Sequence, residues 1–266
     1  GQSNVGIGLE GNTINAIALE TLGAGNISLN GIASATGTMN NFGIHSVNAS
    51  ITTENGDLSI SGLGGGTGDN NPGFFAGFSN ISSLGIGNIM ISGEGGGIFG
   101  SGISMHDGQI SSVTGSVSLQ GIGNGGGDNS AGILLLSEII GNNTTQAGDI
   151  TLVAEADAGI DSIVLDPVVG TPAPEPFTGS MINGLGELIL QPKTTGTTIG
   201  IVNGVGDFNL SSSDLSGIGG DFTKVTIGKA DSGDFNYNNT AGDVLAANLK
   251  LMTAGNLNIN DSLDVG

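Results

Sequence analysis

Apolar residues along this chain alternate with polar ones in short bursts, and the bursts recur. One unit is a glycine, a polar residue and then apolar-x-apolar, as in Gly25-Asn26-Ile27-Ser28-Leu29, Gly56-Asp57-Leu58-Ser59-Ile60 and Gly87-Asn88-Ile89-Met90-Ile91. Further copies begin at Gly115, Gly148, Gly186, Gly206, Gly233 and Gly255, nine in all. Each copy is apolar, or Tyr, at both alternating positions, with mostly Ser, Thr or Asn between them. A period of two buries one face of a short strand and leaves the other wet. The opening glycines step by 31, 31, 28, 33, 38, 20, 27 and 22 residues. A second element runs out of phase with the first: Gly-apolar followed seven residues later by Ile, at Gly6-Ile7 with Ile14, Gly43-Ile44 with Ile51, Gly73-Phe74 with Ile81, Gly102-Ile103 with Ile110 and Gly132-Ile133 with Ile140.

A single unit of this size buries too little apolar area to stand alone, so successive units must stack. Stacking places Ile27 near Leu58, then Ile89, Val117 and Ile150, as an aliphatic column inside a coil. Three short strands with their turns consume roughly 20 to 30 residues, and neighbouring rungs pair main chain to main chain at about 4.8 Å. The spacing therefore predicts an all-β fold, a parallel β-helix (β-solenoid) of roughly nine to ten rungs and on the order of 45 Å long. The preference of parallel crossovers for one hand makes the expected coil right-handed. Residues 1–185 read as long-rung repeats and 186–266 as shorter-rung repeats continuous with them. Pro172, Pro174 and Pro176 mark 167–177 as a projecting loop, because proline cannot donate to a ladder. The start at Gly1 matches the corners at Gly68 and Gly127, so the chain is expected to belong to a longer polypeptide or to stack into a polymer.

Composition narrows the function. The 52 glycines among 266 residues carry no three-residue period and come with only 6 prolines, which excludes collagen. Without cysteine there are no disulfides, thiolate metal sites or cysteine nucleophiles. Four lysines, no arginine and 24 acids give a formal net charge of -20, which argues against nucleic acid as a partner. No apolar run approaches the roughly 20 residues of a membrane span, so no membrane insertion is expected.

The run from Gly56 to Phe74, Gly56-Asp57-Leu58-Ser59-Ile60-Ser61-Gly62-Leu63-Gly64-Gly65-Gly66-Thr67-Gly68-Asp69-Asn70-Asn71-Pro72-Gly73-Phe74, resembles repeats of the filamentous-haemagglutinin-like exoproteins. Gly186-Glu187-Leu188-Ile189-Leu190-Gln191-Pro192 with Thr197-Thr198-Ile199-Gly200, and Val225 to Gly233, are similar to the downstream repeats of that family. The resemblance implies a right-handed β-helix, secretion by a two-partner route, an extracellular or cell-surface location and a role as adhesin or fibre. Its partners would be copies of itself or adjoining repeats of the same polypeptide, with a host-cell or matrix glycan as a further ligand.

Candidate chemistry is sparse. Lyases need cations to neutralise a uronate, and this chain has four scattered lysines; no catalytic residues and no enzyme activity are expected. The polar slot of the strand unit reads Asn26, Asp57, Asn88, Ser116, Asp149, Glu187, Asp207, Asp234 and Asn256. If all copies stack, Glu187, Asp207 and Asp234 fall on consecutive rungs and repel unless a cation intervenes. They are the candidate metal ligands, for a weak Ca²⁺ site, set against the plainer reading of solvated surface acids. No other cofactor is expected. His45 and His106 sit at different offsets from Ile44 and Ile103 and read as surface or corner residues. Phe74, Phe75, Phe78 and Phe99 are either an external aromatic patch or core filling at a widened corner. The function expected is a structural and adhesive rod segment of a secreted surface protein or filament; the alternative is a carbohydrate-active or carbohydrate-binding β-helix domain.

Overall fold

The structure is a computed structural model and describes residues 3–12, 14–126, 130–136, 139–142, 148–157, 160–166, 182–219, 221–239, 244–245 and 248–265. The loop expected at 167–177 lies outside the described residues. Every paired strand among the described residues is parallel, and its partner lies one turn further along the chain, except for one inserted strand taken up below. The chain is a parallel β-helix.

Each of the first six turns contributes one strand to each of three faces. In the second turn these are Ile44–Val47, Ala49–Thr53 and Leu58–Leu63. The first and second faces are six-stranded sheets, and the third runs on to eight strands, from Ile27–Ile32 to Leu249–Met252. Register on the third face joins Ile27 to Leu58, Leu58 to Ile89, Ile89 to Val117 and Val117 to Ile150, and then continues through Leu188 and Val225 to Leu249. The alternation of the strand unit thus becomes a column of side chains, nearly all fully buried from Leu58 to Leu188.

The out-of-phase element spans the first two faces. Ile44, Phe74, Ile103 and Ile133 are in register on the first, and Ile51, Ile81, Ile110 and Ile140 on the second. The first turn departs from this spacing. Ile51 pairs with Leu19, not Ile14, and Ile14 is 88% exposed. This corner is longer than its counterparts, and Asn12 Oδ1 accepts from Ile14 N and Asn15 N within it.

The glycine after the second apolar position has a steric origin. Gly31, Gly62, Gly93 and Gly121 are in register, and a Cβ on Gly93 would lie 2.0 Å from Gly102 O. The third-face strand runs under the backbone that starts the next turn, and only hydrogen fits between them. The polar slot is structural as well. Asp57 N donates to Asn26 Oδ1 (2.8 Å), Asn88 N to Asp57 Oδ1 (2.9 Å) and Ser116 N to Asn88 Oδ1 (2.9 Å), so each side chain caps the backbone of the next rung. At another corner a ladder runs inside the coil. Asn41 N and Nδ2 donate to Asn71 Oδ1, Asn71 Nδ2 donates to Gly68 O, and Asn41 and Asn71 are completely buried.

After Ile182–Gly184 the architecture changes. A new four-stranded sheet has the order Phe208–Leu210, Ile199–Val202, Phe235–Asn238, Leu257–Ile259. Three copies of the strand unit, those at Gly206, Gly233 and Gly255, leave the third face for this sheet, while Lys224–Gly228 and Leu249–Met252 take over the third face. The 20-residue step from Gly186 to Gly206 is therefore a step between faces. The turn itself is long, since Leu188 meets Val225. Shorter turns come only afterwards, where Val225 meets Leu249 and Phe235 meets Leu257.

The long turn holds the inserted strand, Phe208–Leu210, which pairs with Ile199–Val202 from within the same turn, and a helix, Ser212–Ser216, that packs on the first-face strand Ile163–Asp166. Ser211 and Asp214 form a capping box at the helix start. The Asp214 carboxylate, 2% exposed, accepts from Leu165 N (2.7 Å), Ser211 N (2.7 Å) and Ser211 Oγ (2.6 Å). An edge N–H of the coil is thereby satisfied by a side chain in place of a further strand.

Candidate functional site

The stack expected of Glu187, Asp207 and Asp234 does not form, because the strand unit changes sheet between the first residue and the other two. Glu187 stays on the third face, in register with Lys224, whose Nζ lies 2.7 Å from Glu187 Oε2. Thr226 Oγ1 donates to Glu187 Oε1. Desolvation pushes the Glu187 carboxyl up, but the Lys224 and Thr226 contacts outweigh it and hold the group below the usual glutamate range. Glu187 is thus matched by a lysine, with no need of a metal.

Asp207 and Asp234 do come together, on the outer side of the new sheet. Each precedes a strand flanking Ile199–Val202, which puts them two strand spacings apart, roughly 9–10 Å. Thr198 lies between them: its Oγ1 donates to Asp207 Oδ2 (2.9 Å), and its main-chain carbonyl accepts from Asp207 N (3.0 Å). Asp234 Oδ1 accepts from Asn256 N (2.8 Å) and Asn256 Nδ2 (3.1 Å). Among the described residues no group of three or more acidic or histidine side chains is placed to hold a metal.

These two carboxylates border a hollow of about 640 Å³ lined by Thr198, residues 203–207, Asn209, Asp234, Asn236, Asn238 and Asn260. Asn209 and Asn236, outward positions in register through Gly200, both line it. Residues 203–206 fold back over the gap left by Gly200. Gly204 and Gly206 make this possible, since a Cβ on Gly204 would lie 1.9 Å from Asn236 O and one on Gly206 2.3 Å from Gly200 N. The loop is tied down by Asn209 Nδ2 donating to Gly206 O (2.7 Å) and Asn236 Nδ2 donating to Val205 O (2.8 Å). It leaves the strand through Val202 at φ 63, a conformation that a β-branched residue resists. Asn209 Oδ1 is buried against Gly200 with no hydrogen-bond partner.

A second cluster lies on the outer side of the first face. Phe74 is in the core, whereas Phe75 points out and stacks on His45 at 5.2 Å, with His106 on its other side at 5.3 Å and Phe42 at 5.5 Å. The two histidines occupy different register positions, yet both reach one aromatic ring. His45 Nδ1 lies 3.0 Å from Glu10 Oε1, and burial lowers the His106 imidazole below its ordinary value despite the nearby Asp107. Phe78 is 61% exposed, and Phe99 is half-buried beside a small cleft that includes Phe75 and His106. The four phenylalanines therefore divide between core and surface.

Sequence reasoning missed Asp214 and the amide-lined hollow. The signal for the first was Ser211-Ser212-Ser213-Asp214, a capping-box spacing ahead of Leu215. The signal for the second was the glycine spacing at 200, 204 and 206 with Asn at 203, 209 and 236. Compared with protein families, with characterised proteins and with solved structures, the chain finds no match. Among the described residues no helix is long and apolar enough to cross a membrane.

Proposed function

We propose that this chain is a structural and adhesive rod, a segment of a secreted surface protein or extracellular filament of the filamentous-haemagglutinin-like kind. The observation that carries the reading is the uninterrupted third face, eight parallel strands with one aliphatic column behind them. Backbone hydrogen bonds run from each turn to the next, so bending the coil means straining many of them at once. Stiffness of this sort serves a spacer, while the outer faces remain free to vary. Acidity supports an extended, soluble rod, since a net charge of -20 opposes lateral clumping. Exposed apolar edges support self-association: Ile7, Leu9, Leu19 and Leu29 are only partly buried, Leu257 and Ile259 are 49% and 42% exposed, and a second copy stacked along the axis would cover them.

Electron microscopy of the native material, together with antibody labelling of intact cells, tests the proposal. Surface-labelled rods with an axial repeat near 4.8 Å are expected. Isolated globular particles, no surface label, and slow hydrogen exchange at the edge amides of the end turns would refute it.

A further inference from the structure

We propose that the hollow on the four-stranded sheet is a binding site for a neutral oligosaccharide, held by hydrogen bonds from its hydroxyl groups to side-chain amides and carboxylates. The inference rests on the adhesive reading above and gives it a ligand chemistry. The lining is the first argument. Asn238 and Asn260 each carry a donor and an acceptor on one planar group, and a sugar hydroxyl is likewise donor and acceptor at once. Amides spaced along and across paired strands form a grid that a chain of hydroxyl-bearing rings can follow.

Charge is the second argument. Asp207 and Asp234 accept hydrogen bonds from hydroxyls but repel phosphate, sulfate and uronate, and among the described residues no Lys, Arg or His lines the hollow to offset them. Size and separation then argue against a bare cation. About 640 Å³ lies in the ordinary range of small-molecule pockets. Carboxylates two strands apart do not converge on one ion at the roughly 2.3–2.6 Å that Ca²⁺ requires. Third, the loop over residues 203–206 is held against the sheet by Asn209 Nδ2 and Asn236 Nδ2, so one wall of the hollow is fixed before a ligand arrives. Val205, 83% exposed on the overlying loop, adds an apolar edge for the carbon–hydrogen face of a ring.

The test is titration calorimetry of the whole chain with maltotriose, cellotriose and mannotriose, with trigalacturonate as the charged counterpart and CaCl₂ alone as the cation control. Saturable binding of at least one neutral trisaccharide, unaffected by EDTA, is expected. Asn238→Ala and Asn260→Ala should each weaken it about tenfold while leaving the melting temperature in place. Absence of binding by all three neutral sugars overturns the proposal, as does binding that the two variants leave untouched. Tight binding of trigalacturonate, or of Ca²⁺ alone, overturns it too. Rods in the micrographs without sugar binding sink the site alone, and sugar binding by isolated particles sinks the rod alone.

Discussion

Asp214 makes the stability of this coil depend on pH in the direction opposite to ordinary acid unfolding. Burial pushes its carboxyl from 3.8 up to about 6, against the hydrogen bonds from Leu165 and Ser211, with the Asp161 charge adding to the rise. A carboxyl with a raised folded-state value binds its proton more tightly in the folded chain than in the unfolded one. Its contribution to stability is therefore fully present below pH 3.8 and is lost as pH climbs from there through 6. The shift of about two units corresponds to roughly 3 kcal/mol, of which about 2–3 kcal/mol separates pH 4 from pH 7.5.

The other carboxylates titrate too, so the measurement is a difference. Asp214→Asn keeps an acceptor for Leu165 N but turns an amide toward Ser211 N, which adds a constant penalty of about 1–2 kcal/mol and no titration. Urea unfolding of both proteins at several values between pH 4 and 7.5 gives the difference curve. The variant should gain about 2–3 kcal/mol relative to the parent across that range. A higher protection factor of the Leu165 amide at low pH, after correction for the intrinsic exchange rate, should accompany it in the parent only. A flat difference curve, or one that falls with pH, would refute the reasoning.

Two further changes test the interior. Asn71→Ala strips the partner from two buried donors of Asn41 and should cost about 2–4 kcal/mol by thermal or urea unfolding, whereas a change below about 1 kcal/mol would mean that water or a shifted Asn41 replaces the ladder. Gly93→Ala drives a methyl into Gly102 O and should cost about 3 kcal/mol or more, seen as a lowered melting temperature or loss of soluble protein. Ala154→Gly, at the equivalent rung position, should cost only about 0.5–1 kcal/mol, and equal effects of the two changes would contradict the steric account.

The coil was legible because the forces that build it are local and repeated. Alternation of two places Ile27, Leu58 and Ile89 on the inner side of their strands, and an interval near 30 residues leaves one way to bring them together. Corner glycines and the polar slot belong to the same repeat, and the register follows from it. Where the repeat breaks, its reach ends. Gly206-Asp207-Phe208-Asn209-Leu210 carries the same pattern as Gly186-Glu187-Leu188-Ile189-Leu190, yet the two lie in different sheets. A period-two pattern states that a strand has one buried face and is silent about which sheet receives it. That depends on how many residues the intervening corner uses and on what already occupies the edge. The insertion of Phe208–Leu210 and the helix Ser212–Ser216 settled both, moving Asp207 and Asp234 away from Glu187 and into a hollow with asparagines drawn from three turns. Contacts across that distance in the chain are decided by packing, because only the folded coil determines which rungs become neighbours.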